Sequence, residues 1–171
     1  MNNPSMSGEE LLAWNDTMAR MWRSLVSSHP ELLETPCDIY KPATVGQLLQ
    51  HIVAVELRYA ERLSDAPVTD YARIPFGSAE EIFATHTHAL EILKGLLADP
   101  AFDWNEEIEF ATQTAGRMCA SRRAVFQHAL LHSVRHYAQL ATLARQHGYK
   151  PGPMDYLLMA AKRVESPSAQ S

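Results

Sequence analysis

The chain is poor in the residues that would mark several familiar chemistries. Only two of its 171 residues are cysteines, Cys37 and Cys119, far apart and without the paired spacing of a thiolate metal site. That excludes a disulfide scaffold and leads us to expect a reduced, cytoplasmic protein, both thiols being small buried apolar groups. Glycine is also sparse, with seven residues. None of them forms a phosphate-cradling loop or the strained turn around a nucleophilic serine, and no glycosidase-like carboxylate pair stands out. Fifteen Lys and Arg against twenty Asp and Glu give a net charge of −5, so the basic footprint of a nucleic-acid binder is missing. No uninterrupted apolar stretch is long enough to cross a bilayer. The opening residues MNNPSMSGEELLAWND carry neither a basic start nor an apolar run, so no signal peptide is expected. The expected partner is a small-molecule substrate, with neither nucleic acid nor membrane involved.

What remains is an ordinary folded composition, 46% hydrophobic and 20% charged, without repeats or low-complexity tracts. A single domain over residues 1–171 is expected, frayed at about 1–6 and 165–171. Ser7 with Glu10, Thr44 with Gln47 and Ser78 with Glu81 are capping-box spacings, each just ahead of apolar residues recurring at three- and four-residue steps. The first helix carries Leu11, Trp14, Met18, Met21, Trp22 and Leu25, and ends by Ser28 before Pro30. The second runs to about Leu63 with Leu48, Ile52, Val55 and Tyr59 on one face. The third runs through Ile82, Leu90, Leu93 and Leu97 to Asp99. A fourth spans about Ser121 to His147 and stops at Gly148. The proline-rich PELLETPCDIYKPA is a connector, and SDAPVTDYARIPFGS is a crossover between non-adjacent elements. EEIEFATQT reads as a strand or hairpin, and DYLLMAAKR as a short last helix. Four long helices without an alternating β pattern predict an all-α four-helix bundle.

The eight histidines are the compositional oddity. His132 and His136, four apart, project from one face of the fourth helix about a turn from each other. His51, among apolar neighbours on the second helix, would complete a three-nitrogen site with coordination positions left open. Spacing alone leaves two readings, this site or neutral core histidines. His128, Glu56 and Gln139 are candidates for groups behind the ligands, Glu56 or His128 handling protons. His86 and His88, two apart, face different ways and cannot chelate together. With His29 and His147 they are read as solvent-side or helix-end groups. Arg117, Arg122 and Arg123 are read as a solvated helix start or a weak anion patch at the metal mouth.

With those residues placed, the chain resembles the DinB/YfiT-like family of metalloenzymes from about Leu11 to Leu158. TVGQLLQH, ending in His51, matches the family's second-helix sequence. HALLHSVRHYAQ matches its fourth-helix H-x3-H-x3-HRGQ, with His128 leading, His132 and His136 as the pair, and Gln139, Gly148, Pro153 and Asp155 in register. Tyr137 and Ala138 depart from the usual Arg and Gly. The resemblance implies an up-up-down-down four-helix bundle, often dimeric, with a divalent metal on His51, His132 and His136. It also implies thiol chemistry, since better understood relatives include transferases and isomerases that use a low-molecular-weight thiol.

The expected function is therefore that of a metal-dependent, thiol S-transferase-like enzyme. Zinc is the first choice because imidazole suits it, with nickel or another transition metal next. A non-catalytic, metal-stabilised binding or stress protein and a metal-dependent hydrolase are the alternatives.

Overall fold

The structure is a computed structural model and describes residues 5–39, 42–112 and 116–162. The expected frayed ends, apart from the exposed Ser5 and Met6, lie outside the described residues, as do the last two residues of EEIEFATQT. Four long helices dominate: α1 (Gly8–Ser28), α2 (Val45–Leu63), α3 (Ala79–Ala98) and α4 (Arg122–Gln146). A short α5 (Tyr156–Ala160) follows, and a hairpin of β1 (Glu107–Thr112) and β2 (Gly116–Ser121) sits between α3 and α4. The chain is thus mostly helical with one small sheet.

Local chemistry sets the helix ends. The Ser7 hydroxyl accepts from the Glu10 amide at 3.1 Å while the Glu10 carboxylate accepts from the Ser7 amide at 2.7 Å, a complete capping box. Thr44, Ser78 and Ser121 also accept from the amide three residues on. Gln47 and Glu81, however, reach back one residue further than a box requires, to the amides of Ala43 and Gly77. At the other end of α4, Gly148 takes φ +85°, the left-handed position after a helix that a Cβ would strain. The connector after α1 contains a 3-10 turn at Pro30–Glu34, and the crossover contains another at Tyr71–Arg73.

Each of α1 and α2 packs against both α3 and α4. Residue pairs give the directions. The Gly8 backbone lies against the side chains of Leu97 and Phe126, the Asp16 carboxylate reaches His86, and Trp22 stacks on Tyr137. Helix α1 therefore opposes α3 and runs with α4. His51 meets His136 and Tyr59 meets His128, so α2 opposes α4. The order along the chain is up-down-down-up, which corrects the expected up-up-down-down. Residues 64–78 explain it: at ~3.3 Å per residue they can span about 50 Å. The 19-residue α2 is only about 28 Å long at ~1.5 Å per residue. The crossover can thus carry the chain back past α2 and start α3 at the same end.

The core falls into two apolar clusters. One gathers Trp22, Leu48, Leu49, Ile52, Phe83 and Tyr137; the other gathers Leu12, Leu57, Leu63, Leu93, Phe126 and Leu130. Burying each such side chain stabilises the fold by about 1.5–3 kcal/mol. Between the clusters, each long helix contributes one buried polar residue: Asn15, Glu56, His86 and Ser133.

The hairpin pairs Glu107 with Ser121 through Thr112 with Gly116. Ile108 and Phe110 turn towards the second cluster, and Phe110 meets Tyr59 edge-on at 5.8 Å between ring centroids. Cys37 is buried as expected, but Cys119 is exposed. A two-stranded ribbon covers only its inner face, and Cys119 lies on the open side. No helix among the described residues is long and apolar enough to cross a membrane.

Candidate metal centre

Because α2 and α4 run in opposite directions and touch, His51 faces the pair projected by α4. The His132 Nε2 lies 3.2 Å from the His51 Nε2 and 3.2 Å from the His136 Nε2. The three residues offer donor atoms all within 4.8 Å of one another, and among the described residues no carboxylate or thiolate belongs to the cluster. Neutral imidazoles can share one N–H between two nitrogens, yet the His132 Nε2 stands at 3.2 Å from two others at once. A tetrahedral ion with bonds of ~2.0–2.1 Å separates its donors by about 3.3–3.4 Å, close to both observed spacings. His136 is buried while His51 and His132 are half-buried, so the point of convergence opens towards solvent.

Electrostatics prepares these rings to ligate. Burial, reinforced by the Arg135 charge, pushes the His51 pKa down. Burial first, then the charged forms of His136 and His51 and the Arg135 guanidinium, bring His132 to about 3. Burial and Arg135 likewise bring His136 to about 4, against the raising effect of its bond to Gln139. His128 is lowered by the same two causes. All four are therefore neutral at pH 7, the form that binds metal. The Gln139 Oε1 sits 2.7 Å from the His136 Nδ1. That acceptor holds the proton on Nδ1 and leaves the Nε2 lone pair facing the cluster. An Arg135 Nη2 lies 3.0 Å from the same Nε2 and donates to it.

A model of the DinB family matches residues 1–167. The chain belongs to the DinB family. No curated protein matches it. DinB proteins are a helical, metal-binding family, and this member brings three histidines into position to hold an ion. Its DinB-type fourth helix also places His128 beside the cluster, 5.7 Å from the His132 ring and 5.5 Å from Tyr59. At the departure from the DinB pattern, Tyr137 turns fully inward, stacked on Trp22 at 6.3 Å with 14° between planes. Ala138 is exposed. The departure therefore lies in the core and on the outer surface, and the ligand face is untouched.

Three expectations about this DinB chain are corrected. Glu56 is buried on the inner side of α2 and accepts from the Asn15 Nδ2 at 3.0 Å and His86 Nδ1 at 2.7 Å. It therefore does not back the ligands. His86 is no solvent-side group: it is 4% exposed and pairs with that carboxylate, while its Nε2 lies 3.5 Å from Asp16. Burial alone would lower its pKa, but the Glu56 charge and the Asp16 contact outweigh burial and raise it to about 9. His88 is exposed and His29 and His147 cap α1 and α4, as expected. Finally, of the two readings of the three arginines the anion patch falls, while Arg122 and Arg123 do open α4 and Arg117 lies on β2. Arg122 pairs with Asp65 and Glu106, Arg117 with Glu109, and Arg123 with Asn105. Arg122 also lies ten residues before His132, about 15 Å along α4 at ~1.5 Å per residue.

Sequence reasoning passed over Arg135 and the inward role of His86. His86 had a signal: it continues the stripe Ile82, Ala89, Leu90 and Leu93. Arg135 had only its adjacency to a suspected ligand.

Proposed function

We propose that the protein is a metal-dependent enzyme of the thiol S-transferase type, working at a three-histidine centre held between α2 and α4 of a four-helix bundle. The observation that carries this reading is the convergence of three neutral Nε2 donors without a carboxylate among them. A divalent ion bound there, zinc by first preference, keeps its full charge and supplies Lewis acidity that lowers the pKa of a thiol in the open positions.

The protein's own groups do the rest. Gln139 fixes the His136 tautomer, and the half-buried setting of His51 and His132 limits water while leaving access. His128 and Tyr59 continue the ring contacts from the cluster to Phe110 of the hairpin. Thiol chemistry is favoured over hydrolysis by the fate of Glu56. The one carboxylate considered as a general base is engaged with Asn15 and His86 inside the core, whereas a thiol activated by the ion needs no protein carboxylate.

The test begins with metal content measured on untagged protein, wild type against His132→Ala. Turnover of a chromogenic electrophile with a panel of small thiols follows. Activity lost to a chelator and restored by metal is expected. Full metal content in His132→Ala, or turnover indifferent to chelation, refutes the proposal.

A further inference from the structure

Arg135 brings a charged group into direct contact with the histidine cluster. Its Nη2 donates to the His136 Nε2 at 3.0 Å, and its charge reaches His51, His128, His132 and His136. The guanidinium is on the exposed side of α4. Among the described residues no carboxylate lies within ion-pair distance of it, and what sets it apart from other unpaired arginines is its bond to a cluster nitrogen. A guanidinium with no carboxylate partner among the described residues therefore sits beside a site whose donors are all neutral.

One lone pair cannot serve two cations. The Nε2 that accepts from Arg135 is the atom His136 would offer to a metal, because Gln139 fixes the other nitrogen as the donor. With an ion held by the cluster, the His136 Nε2 would no longer accept from Arg135, and the guanidinium would stay tethered one residue from a ligand. The geometry points to Arg135 as a specificity-determining residue that anchors a carboxylate on the ligand filling the open positions. A carboxylate fits because the guanidinium fork donates two parallel hydrogen bonds to one. A single unpaired arginine matches a single negative charge. This inference rests on the metal-centre reading above and names the substrate class for it: small electrophiles or thiols bearing a carboxylate.

The test uses the full chain loaded with Co(II), whose visible spectrum reports on the open positions, with acetate as probe and acetamide as its neutral counterpart. Acetate is expected to bind wild type at least tenfold more tightly than Arg135→Gln. Arg135→Lys, which keeps the charge but not the fork, is expected to fall between them. Acetamide is expected to bind all three alike. Arg135→Gln should also bind Co(II) as tightly as wild type or more so, since the competing bond to His136 is gone. Acetate affinities within twofold in wild type and Arg135→Gln overturn the inference. So does a tenfold loss of Co(II) affinity in Arg135→Gln, which would make the residue a support of the ligands. If wild type takes up no Co(II), or His132→Ala takes it up equally, the metal-centre reading itself fails and this inference with it.

Discussion

Replacing His86 by leucine is the most informative perturbation of the fold. The ring lies with Asn15 and Glu56 in the polar layer between the two apolar clusters, and its Nδ1 stands 2.7 Å from the Glu56 carboxylate. Glu56 is itself 1% exposed, so its charge has no water to turn to. Removing one partner of a buried pair costs about 3–5 kcal/mol. For a chain of this size that is a fall in Tm of roughly 6–20 °C, at ~2–4 °C per kcal/mol. The double variant Glu56→Leu/His86→Leu removes both charges of the buried pair and leaves the Asn15 amide unpartnered, about 1–3 kcal/mol, while the half-buried Asp16 keeps Arg20. It is expected to be more stable than His86→Leu alone. The pH dependence has a definite sign. The folded pKa, about 9, lies above the unfolded value of ~6.5. The stabilisation is therefore fully present below pH 6.5 and is lost as pH rises through 9. At ~1.4 kcal/mol per pH unit the gap amounts to about 3 kcal/mol. Urea unfolding of metal-free protein between pH 6 and 10 measures all of this. The cluster histidines act alike in both proteins, so the stability advantage of wild type over His86→Leu should shrink as pH rises over that range. Parallel curves, or a cost below about 1 kcal/mol for His86→Leu, would refute the reasoning.

Further outcomes follow from other parts of the molecule. Gln139→Ala removes the acceptor that sets the His136 tautomer, and zinc affinity by chelator competition should drop about 10–100-fold with the helical circular dichroism unchanged. Because His132 and His136 take protons only near 3 and 4, zinc affinity should weaken only modestly from pH 7.5 to 6. Three ordinary imidazoles would lose roughly fiftyfold over that range, and a loss of that size contradicts the assignment. In metal-free protein the same lowered values mean stability is present above pH 6.5 and lost as pH falls towards them. Tyr137→Phe removes a buried hydroxyl that has no hydrogen-bond partner among the described residues, so melting should show a neutral or raised Tm. Gly148→Ala forces a Cβ into φ +85° and should cost about 1–2 kcal/mol in the same assay.

Much of this architecture is local in origin, which is why it is legible in the sequence. Caps at Ser7, Thr44 and Ser78 and the apolar stripes behind them are short-range chemistry, and α1 to α4 begin and end where those signals lie. The His132–His136 pair was equally legible, since a four-residue step on a helix needs no partner to be recognised. Whatever depended on a second element was not. The direction of α3 is set by how far residues 64–78 travel, and a run of turn residues does not encode where it goes. Sequence alone points His86 to solvent because the carboxylate that holds it inside sits thirty residues earlier, on another helix. The hairpin stayed ambiguous because β preference comes from the surface a strand lies on, here Tyr59 and the second cluster. Cys119 was misplaced for the same reason: only the pairing register shows which face of a ribbon is uncovered.

Neighbouring residues His136 and Tyr137 make an anchor and a working edge of one turn of α4. The phenol ring, wedged beside Trp22, works like a key in a slot and clocks the helix about its long axis. A rotation of one residue, ~100°, would drag a bulky ring into water and swing both imidazoles away from His51. Loosening the slot, for instance with Trp22→Leu, should therefore be felt at the distant nitrogens sooner than in the shape of the domain. Weakened ion uptake by a protein that still melts cooperatively would be the mark of such slippage.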